Sequence, residues 1–148
     1  MLLPEDVEPI SPAAISEWIR LNADSRDQFR GVYATSEGHR LQHGQDCDVY
    51  PSSSGPMLGA LVAATGAKRI LEVGCGLGYS ALWLAAGSAP GGNVDTCEKD
   101  PLHAALARAQ FERAGFSSRI AVQEGRAIET LALLDDPYEF IFADGDPG

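Results

Sequence analysis

The segment Glu72-Val73-Gly74-Cys75-Gly76-Leu77-Gly78 carries a carboxylate followed by three glycines at alternate positions. Glycines in such a loop permit positive φ and let a backbone approach a ligand with no Cβ in the way. The spacing is GxGxG, whereas dinucleotide enzymes use GxGxxG to aim a helix N-terminus at a pyrophosphate. A ligand without phosphates suits this loop at least as well. A tight turn with no ligand is the alternative reading of the glycines alone. Glu98 lies 24 residues after Gly74, where an acid can accept hydrogen bonds from both hydroxyls of a ribose. Glu72, at the mouth of the loop, would repel a pyrophosphate and attract a cationic amine or sulfonium, which favours S-adenosylmethionine over NAD. Further on, Asp144 and Asp146 follow the apolar run Tyr138, Phe140, Ile141, Phe142. Carboxylates at the C-terminal end of a buried strand stand where open α/β proteins place their chemistry.

These residues need elements to hold them. Arg69 to Val73 reads as a buried strand entering the glycine loop, and Tyr79 to Ala86 as a helix apolar on most sides. Residues 93–100 read as a second strand, 119–125 as a third and 138–144 as a fourth. Asp100-Pro101 is a capping acid followed by Pro at the first helical position, opening a helix that runs to Gly115. Residues 127–134 read as a short helix. Upstream, Ser54-Gly55-Pro56 opens a helix that closes at Gly66, and Ser11-Pro12 opens one over about 12–24. Residues 26–50 show little periodicity. The alternation of strand and helix calls for right-handed crossovers and a parallel sheet covered on both faces. The expected organisation is a single α/β domain over 1–148, with a helical or irregular lead-in at 1–53 and the core at 54–148.

At 148 residues the chain has the length of one ordinary domain. Its 45% hydrophobic and 22% charged residues are those of a soluble globular protein. No apolar run approaches the roughly 18–20 residues that span a bilayer, and the acidic N-terminus lacks the basic region of a secretory signal. A net charge of −10 repels a phosphate backbone, which excludes nucleic acid as partner or substrate. Cys47, Cys75 and Cys97 are odd in number and lack CxxC spacing, so they read as reduced thiols, with Cys75 and Cys97 as packing residues. The expected compartment is the cytoplasm. His39, His43 and Cys47 have i, i+4, i+8 spacing suggestive of zinc, but Gly38, Gln42, Gly44 and Gln45 disfavour the helix that spacing needs. A fourth ligand is not evident either, so metal binding is not the preferred reading there. His103 is expected on the surface, Trp83 in the core or an interface, and Tyr50 either over a ligand or packed.

The motifs, taken in order, resemble class I S-adenosylmethionine-dependent methyltransferases, most closely the O-methyltransferases of the catechol and caffeoyl-CoA type. The segments that carry the resemblance are "RILEVGCGLGYSALWLA", "CEKDP", "RIAVQEGRAIETL" and "YEFIFADGD", within residues 50–146. The resemblance implies a Rossmann-like sheet of order 3-2-1-4 with helices on both faces, the family's later strands being absent from this chain. It implies a cofactor site built by Glu72, Gly74, Gly76, Gly78, Tyr79 and Ser80 at the methionine end, Glu98 at the ribose, and Gly125, Arg126 and Ala127 at the adenine. Asp144 matches an aspartate that completes this site and binds a divalent metal such as Mg²⁺. In metal-dependent relatives a lysine base follows that aspartate by two or three residues; here Pro147 stands there, and no Lys follows Lys99. The implied activity is O-methylation of a small hydroxylated or phenolic acceptor. The alternatives are a non-catalytic binding or interaction module and, less favoured, an NAD-dependent oxidoreductase. An unpaired apolar fourth strand would favour association, most simply a homodimer.

Overall fold

The computed structural model describes residues 27–44, 47–134 and 137–145. Four strands, β1 (Arg69–Val73), β2 (Asn93–Glu98), β3 (Ile120–Glu124) and β4 (Phe140–Ala143), form one sheet in the order β3-β2-β1-β4. All neighbouring strands run parallel, with Val73 opposite Cys97 on one side and Ala143 on the other. The expected α/β class and strand order are therefore present. The helices are α1 (Arg30–His43), α2 (Gly55–Thr65), α3 (Tyr79–Gly87), α4 (Pro101–Ala114) and α5 (Ala127–Thr130), which continues as a 3₁₀ turn over Leu131–Leu133. The helix expected over 12–24 lies outside the described residues. Among the described residues, no helix is long and apolar enough to cross a membrane.

The larger core lies on the face covered by α1 to α4, where Val62, Ile70, Leu82, Val94 and Phe111 are almost wholly enclosed. Burying each such side chain stabilises the fold by about 1.5–3 kcal/mol. The opposite face packs Leu71, Val73 and Cys97 against Ala127, with Leu131, Leu134 and Tyr138 at its border. α3 is apolar all round because it is wedged between α2 and the sheet, with Ala81, Leu82, Leu84 and Ala85 fully buried.

The helix starts and stops mostly follow their capping residues. Asp100 accepts hydrogen bonds from the Leu102 and His103 amides at 2.7 and 3.3 Å, and Gly115 ends α4 in the left-handed region. Gly66 ends α2 in the same way. At the start of α2 the Ser54 hydroxyl pairs with that of Ser52 at 2.6 Å and makes no cap, so the turn rests on Gly55 and Pro56.

Two stretches differ from their local sequence pattern. Residues 26–50, without readable periodicity, hold the 14-residue helix α1. Only Val32 and Ser36 of that helix are buried, so it carries no apolar stripe to read. β4, a buried strand by its composition, is not enclosed but shows the open apolar edge expected of an unpaired fourth strand. Phe140 and Phe142 are half-buried, while Ile141 and Ala143 are exposed, because β4 pairs only with β1 among the described residues.

Candidate functional site

β1 delivers the chain into the glycine loop at the C-terminal edge of the sheet. The Gly74 and Cys75 amides both donate to the Cys97 carbonyl, at 3.2 and 3.1 Å, which ties the loop to the end of β2. The Gly76 amide donates to Glu98 Oε2 at 2.7 Å. Two of the glycines are required for different reasons. A Cβ on Gly74 would stand 2.9 Å from the Gly145 backbone, where the loop meets the chain leaving β4. A Cβ on Gly78, at φ +91°, would stand 2.4 Å from the Phe111 ring. Gly78 thus serves helix packing.

A cleft of about 410 Å³ opens over this edge. Gly74, Gly76, Tyr79, Ser80, Glu98, Gly125, Arg126, Ala127 and Asp144 line it, which brings nine of the eleven residues named from the sequence to one place. Glu72 and Gly78 are enclosed and do not line it. Glu98 is held firmly: Oε2 takes the Gly76 amide, and Oε1 takes the Asp100 amide at 3.0 Å. Each oxygen keeps a lone pair for another donor. The Glu98 carbonyl accepts from the Gly125 amide at 2.9 Å, which ties the tips of β2 and β3 together.

Glu72 lies beneath the loop with no exposed surface. Its Oε2 accepts the Thr96 hydroxyl at 2.5 Å, and its Oε1 meets no hydrogen-bond geometry with any partner among the described residues. Burial pushes the carboxyl up to about 7; the Ser80 and Thr96 hydroxyls oppose the rise, and the Asp144 and Glu98 charges add to it. Glu72, expected at the mouth of the loop, is thus enclosed beneath it and does not face the cleft. The carboxylates that face the cleft are Glu98, Asp144 and Asp48, the last paired with Lys99 Nζ at 2.8 Å.

The profile of one family, described as O-methyltransferase, matches residues 40–147, well over half of the chain. The chain belongs to the O-methyltransferase family. A catechol O-methyltransferase from Mycobacterium tuberculosis is 41% identical over 96 residues, covering 64% of this chain and 44% of that protein. This chain thus spans less than half the length of the curated relatives it matches. The crystal structure of the O-methyltransferase from Bacillus cereus in complex with SAH superposes with a TM-score of 0.75 at 34% identity, covering 90% of this chain and 61% of that one. The O-methyltransferase TomG from Streptomyces achromogenes, in complex with SAM, gives a TM-score of 0.67 at 30% identity, covering 77% of this chain and 53% of that one. Membership in this family favours neither the oxidoreductase nor the non-catalytic alternative.

The divalent metal implied by the resemblance to metal-dependent relatives finds little to hold it among the described residues. Asp144 is exposed, and no cluster of three or more ligating side chains includes it. Asp146 and Pro147 lie outside the described residues. Mg²⁺ prefers octahedral oxygen coordination, which one carboxylate does not supply.

Several site-forming residues carried no sequence signal. Asp27 accepts the Tyr79 hydroxyl at 2.6 Å and the Trp83 indole at 3.2 Å, tying the start of α1 to α3. Val49 to Ser52 form one wall of the cleft. Tyr50, expected either over a ligand or packed, is the one of these that the sequence singles out; it is exposed, with the Arg40 guanidinium 4.5 Å above its ring. Cys47, Cys75 and Cys97 are free and buried, and burial pushes the Cys75 and Cys97 thiols up, as suits packing residues. His103, expected on the surface, is buried with Nε2 3.1 Å from His39 Nε2.

Proposed function

We propose that the cleft binds S-adenosylmethionine and that the chain supplies the cofactor-binding part of an O-methyltransferase acting on a small hydroxylated or phenolic acceptor. The observation that supports this best is Glu98. Its carboxylate is fixed by two backbone amides at the tip of β2, faces the cleft, and keeps an acceptor site on each oxygen. A vicinal diol such as a ribose presents two donors at that spacing. The cleft volume falls within the usual range for small-molecule sites, about 300–1,000 Å³.

In this reading the Gly74 backbone and the Ser80 hydroxyl hold the methionine end, and Gly125 to Ala127 flank the adenine. The Arg126 side chain stands at the rim of the cleft. When bound, S-adenosylmethionine supplies an electrophilic methyl group on a sulfonium sulfur. The chain's residues hold that group in the cleft so that an acceptor oxygen can approach in line. Asp144, an exposed residue of the cleft lining, offers a carboxylate to the acceptor. A divalent cation beside Asp144 needs ligands outside the described residues and forms no step of this proposal. The exposed edge of β4, with Ile141 61% accessible, also supports association of two copies through that strand.

Calorimetric titration tests the binding reading. S-adenosylhomocysteine should bind in the micromolar range, about −8 kcal/mol, and NAD⁺ should not bind. NAD⁺ binding, or a folded sample that binds neither ligand, would overturn it. Methyl transfer to catechol, assayed with and without Mg²⁺, tests the activity; tight cofactor binding with no transfer under either condition would favour the non-catalytic module.

A further inference from the structure

Three soft donors converge beside the cleft, and the proposed cofactor site uses none of them. His39 on α1, Cys47 on the following loop and His103 on the first turn of α4 place ligand atoms within 4.8 Å of one another. We propose that His39, Cys47 and His103 form a binding site for a thiophilic transition-metal ion of the zinc class, with a fourth position open to water.

The donor set selects the metal. One thiolate and two imidazoles suit Zn²⁺ and its neighbours, while hard ions such as Mg²⁺ and Ca²⁺ take oxygen. Three protein ligands with one open position is the coordination number of zinc sites that retain a water. The spacing is close to what such a site needs. With metal–nitrogen bonds of about 2.0–2.1 Å, two ligands of a tetrahedral ion lie roughly 3.3–3.4 Å apart. His39 Nε2 and His103 Nε2 are 3.1 Å apart, so a small outward shift admits an ion. Without one, the two nitrogens share a hydrogen bond whose direction depends on tautomer.

The surroundings fit as well. The opposite nitrogen of His103, Nδ1, faces Glu98 Oε1 at 3.9 Å, too far for a hydrogen bond but on the side where a carboxylate orients a metal-bound imidazole after closing by about 1 Å. Cys47 and His103 are buried, which protects the bonds, whereas His39 is half-exposed and leaves an entry path. His43 stacks on His39 with ring centroids 4.4 Å apart, yet it is outside the cluster. On binding, the Cys47 thiol proton passes to solvent and the sulfur–metal bond forms in its place.

Cobalt(II) is the probe. Titrating the intact protein with Co²⁺ should produce tetrahedral d–d bands and a thiolate-to-cobalt charge-transfer band, saturating at one equivalent and bleached by Zn²⁺. His39→Ala, a change at a half-exposed helix position, should weaken binding by at least about 10-fold. Cys47→Ser should remove the charge-transfer band, and His43→Ala should leave the spectrum unchanged. The site is refuted if wild-type protein with native far-ultraviolet circular dichroism gives no charge-transfer band. It is refuted equally if the band survives Cys47→Ser, or is lost with His43→Ala but retained with His39→Ala.

Discussion

The glycine loop and the histidine–cysteine cluster sit on either side of Glu98, and they are assembled in opposite ways. The loop is contiguous: seven successive residues turn β1 into α3, and backbone amides of that stretch grip Cys97 and Glu98. The cluster draws on residues 39, 47 and 103, and α1 is held near it by Asp27, which anchors the start of that helix to Tyr79 and Trp83, and by Phe29 and Val32 in the core. Contiguous chemistry is written as spacing. Convergent chemistry is written only in the packing that brings distant segments together. Glu98 belongs to both regions, taking the Gly76 amide on one side and facing His103 on the other.

The contrast is sharpest at Gly78, which belongs to the loop by sequence and to the core by contact. Gly78→Ala would place a methyl group 2.4 Å from Phe111 at a left-handed φ. Overpacking and backbone strain together should cost roughly 3–4 kcal/mol, read by urea denaturation. The residual folded protein should bind S-adenosylhomocysteine with nearly unchanged affinity. A loss below about 1 kcal/mol would mean that the loop tolerates side chains as a ligand cradle would, and that the packing role is wrong.

Glu72 tests the floor of the same region. Its folded pKa is raised from 4.5 to about 7, so between those pH values the folded state binds more protons than the unfolded chain. Its contribution is intact below about pH 4.5 and is lost as pH rises through 7. The loss is at most a few kcal/mol, at about 1.4 kcal/mol per pH unit of displacement. Glu72→Gln should remove that slope, so the difference between the two stability–pH curves should widen steadily across the window. The difference matters because His39, with a lowered pKa, pulls the other way as pH rises. Parallel curves would show that Glu72 ionises as freely when folded as when unfolded.

Much of the first region is legible in the order of the residues alone. The alternating strands and helices, the sheet order implied by the resemblance, and nine cleft residues follow from motifs in which chemistry and backbone geometry share one short segment. The rest lies where tertiary contact overrides local pattern. α1 buries two side chains and so carries no stripe. His103 looks like a first-turn surface residue until α1 covers it. Glu72 looks like a free carboxylate until Thr96 and the loop enclose it. β4 looks buried by composition, but burial depends on neighbours that composition does not count.

Because Glu98 touches both regions, substituting it sharpens the comparison further. Glu98→Ala should weaken S-adenosylhomocysteine binding about 100-fold, two charge-assisted hydrogen bonds at roughly 1.5 kcal/mol each. It should weaken Co²⁺ binding less, since the ligand atoms themselves remain. A variant that binds the cofactor analogue as wild type does would remove Glu98 from the ribose role and leave the glycine loop as the only support for the site.

The smallest effect belongs to the tether that holds the second region in place. Asp27 accepts from Tyr79 Oη at 2.6 Å, from Trp83 Nε1 at 3.2 Å and from the Phe29 amide at 2.8 Å. Burial, reinforced by the Asp27 carboxylate, raises the Tyr79 pKa, so the phenol remains a donor throughout the physiological range. Asp27→Ala should cost about 2 kcal/mol, and Tyr79→Phe about 1 kcal/mol, by chemical denaturation. If the tether acts as a unit, the double variant should lose less than the sum of the two, with a coupling of about 1 kcal/mol. Hydrogen exchange should then show α1 opening while β1 and β2 stay protected, because the larger core does not depend on Asp27. Additive losses, or equal deprotection of α1 and the central strands, would show that the helix is part of the main cooperative unit and that the two regions are less separate than their sequences suggest.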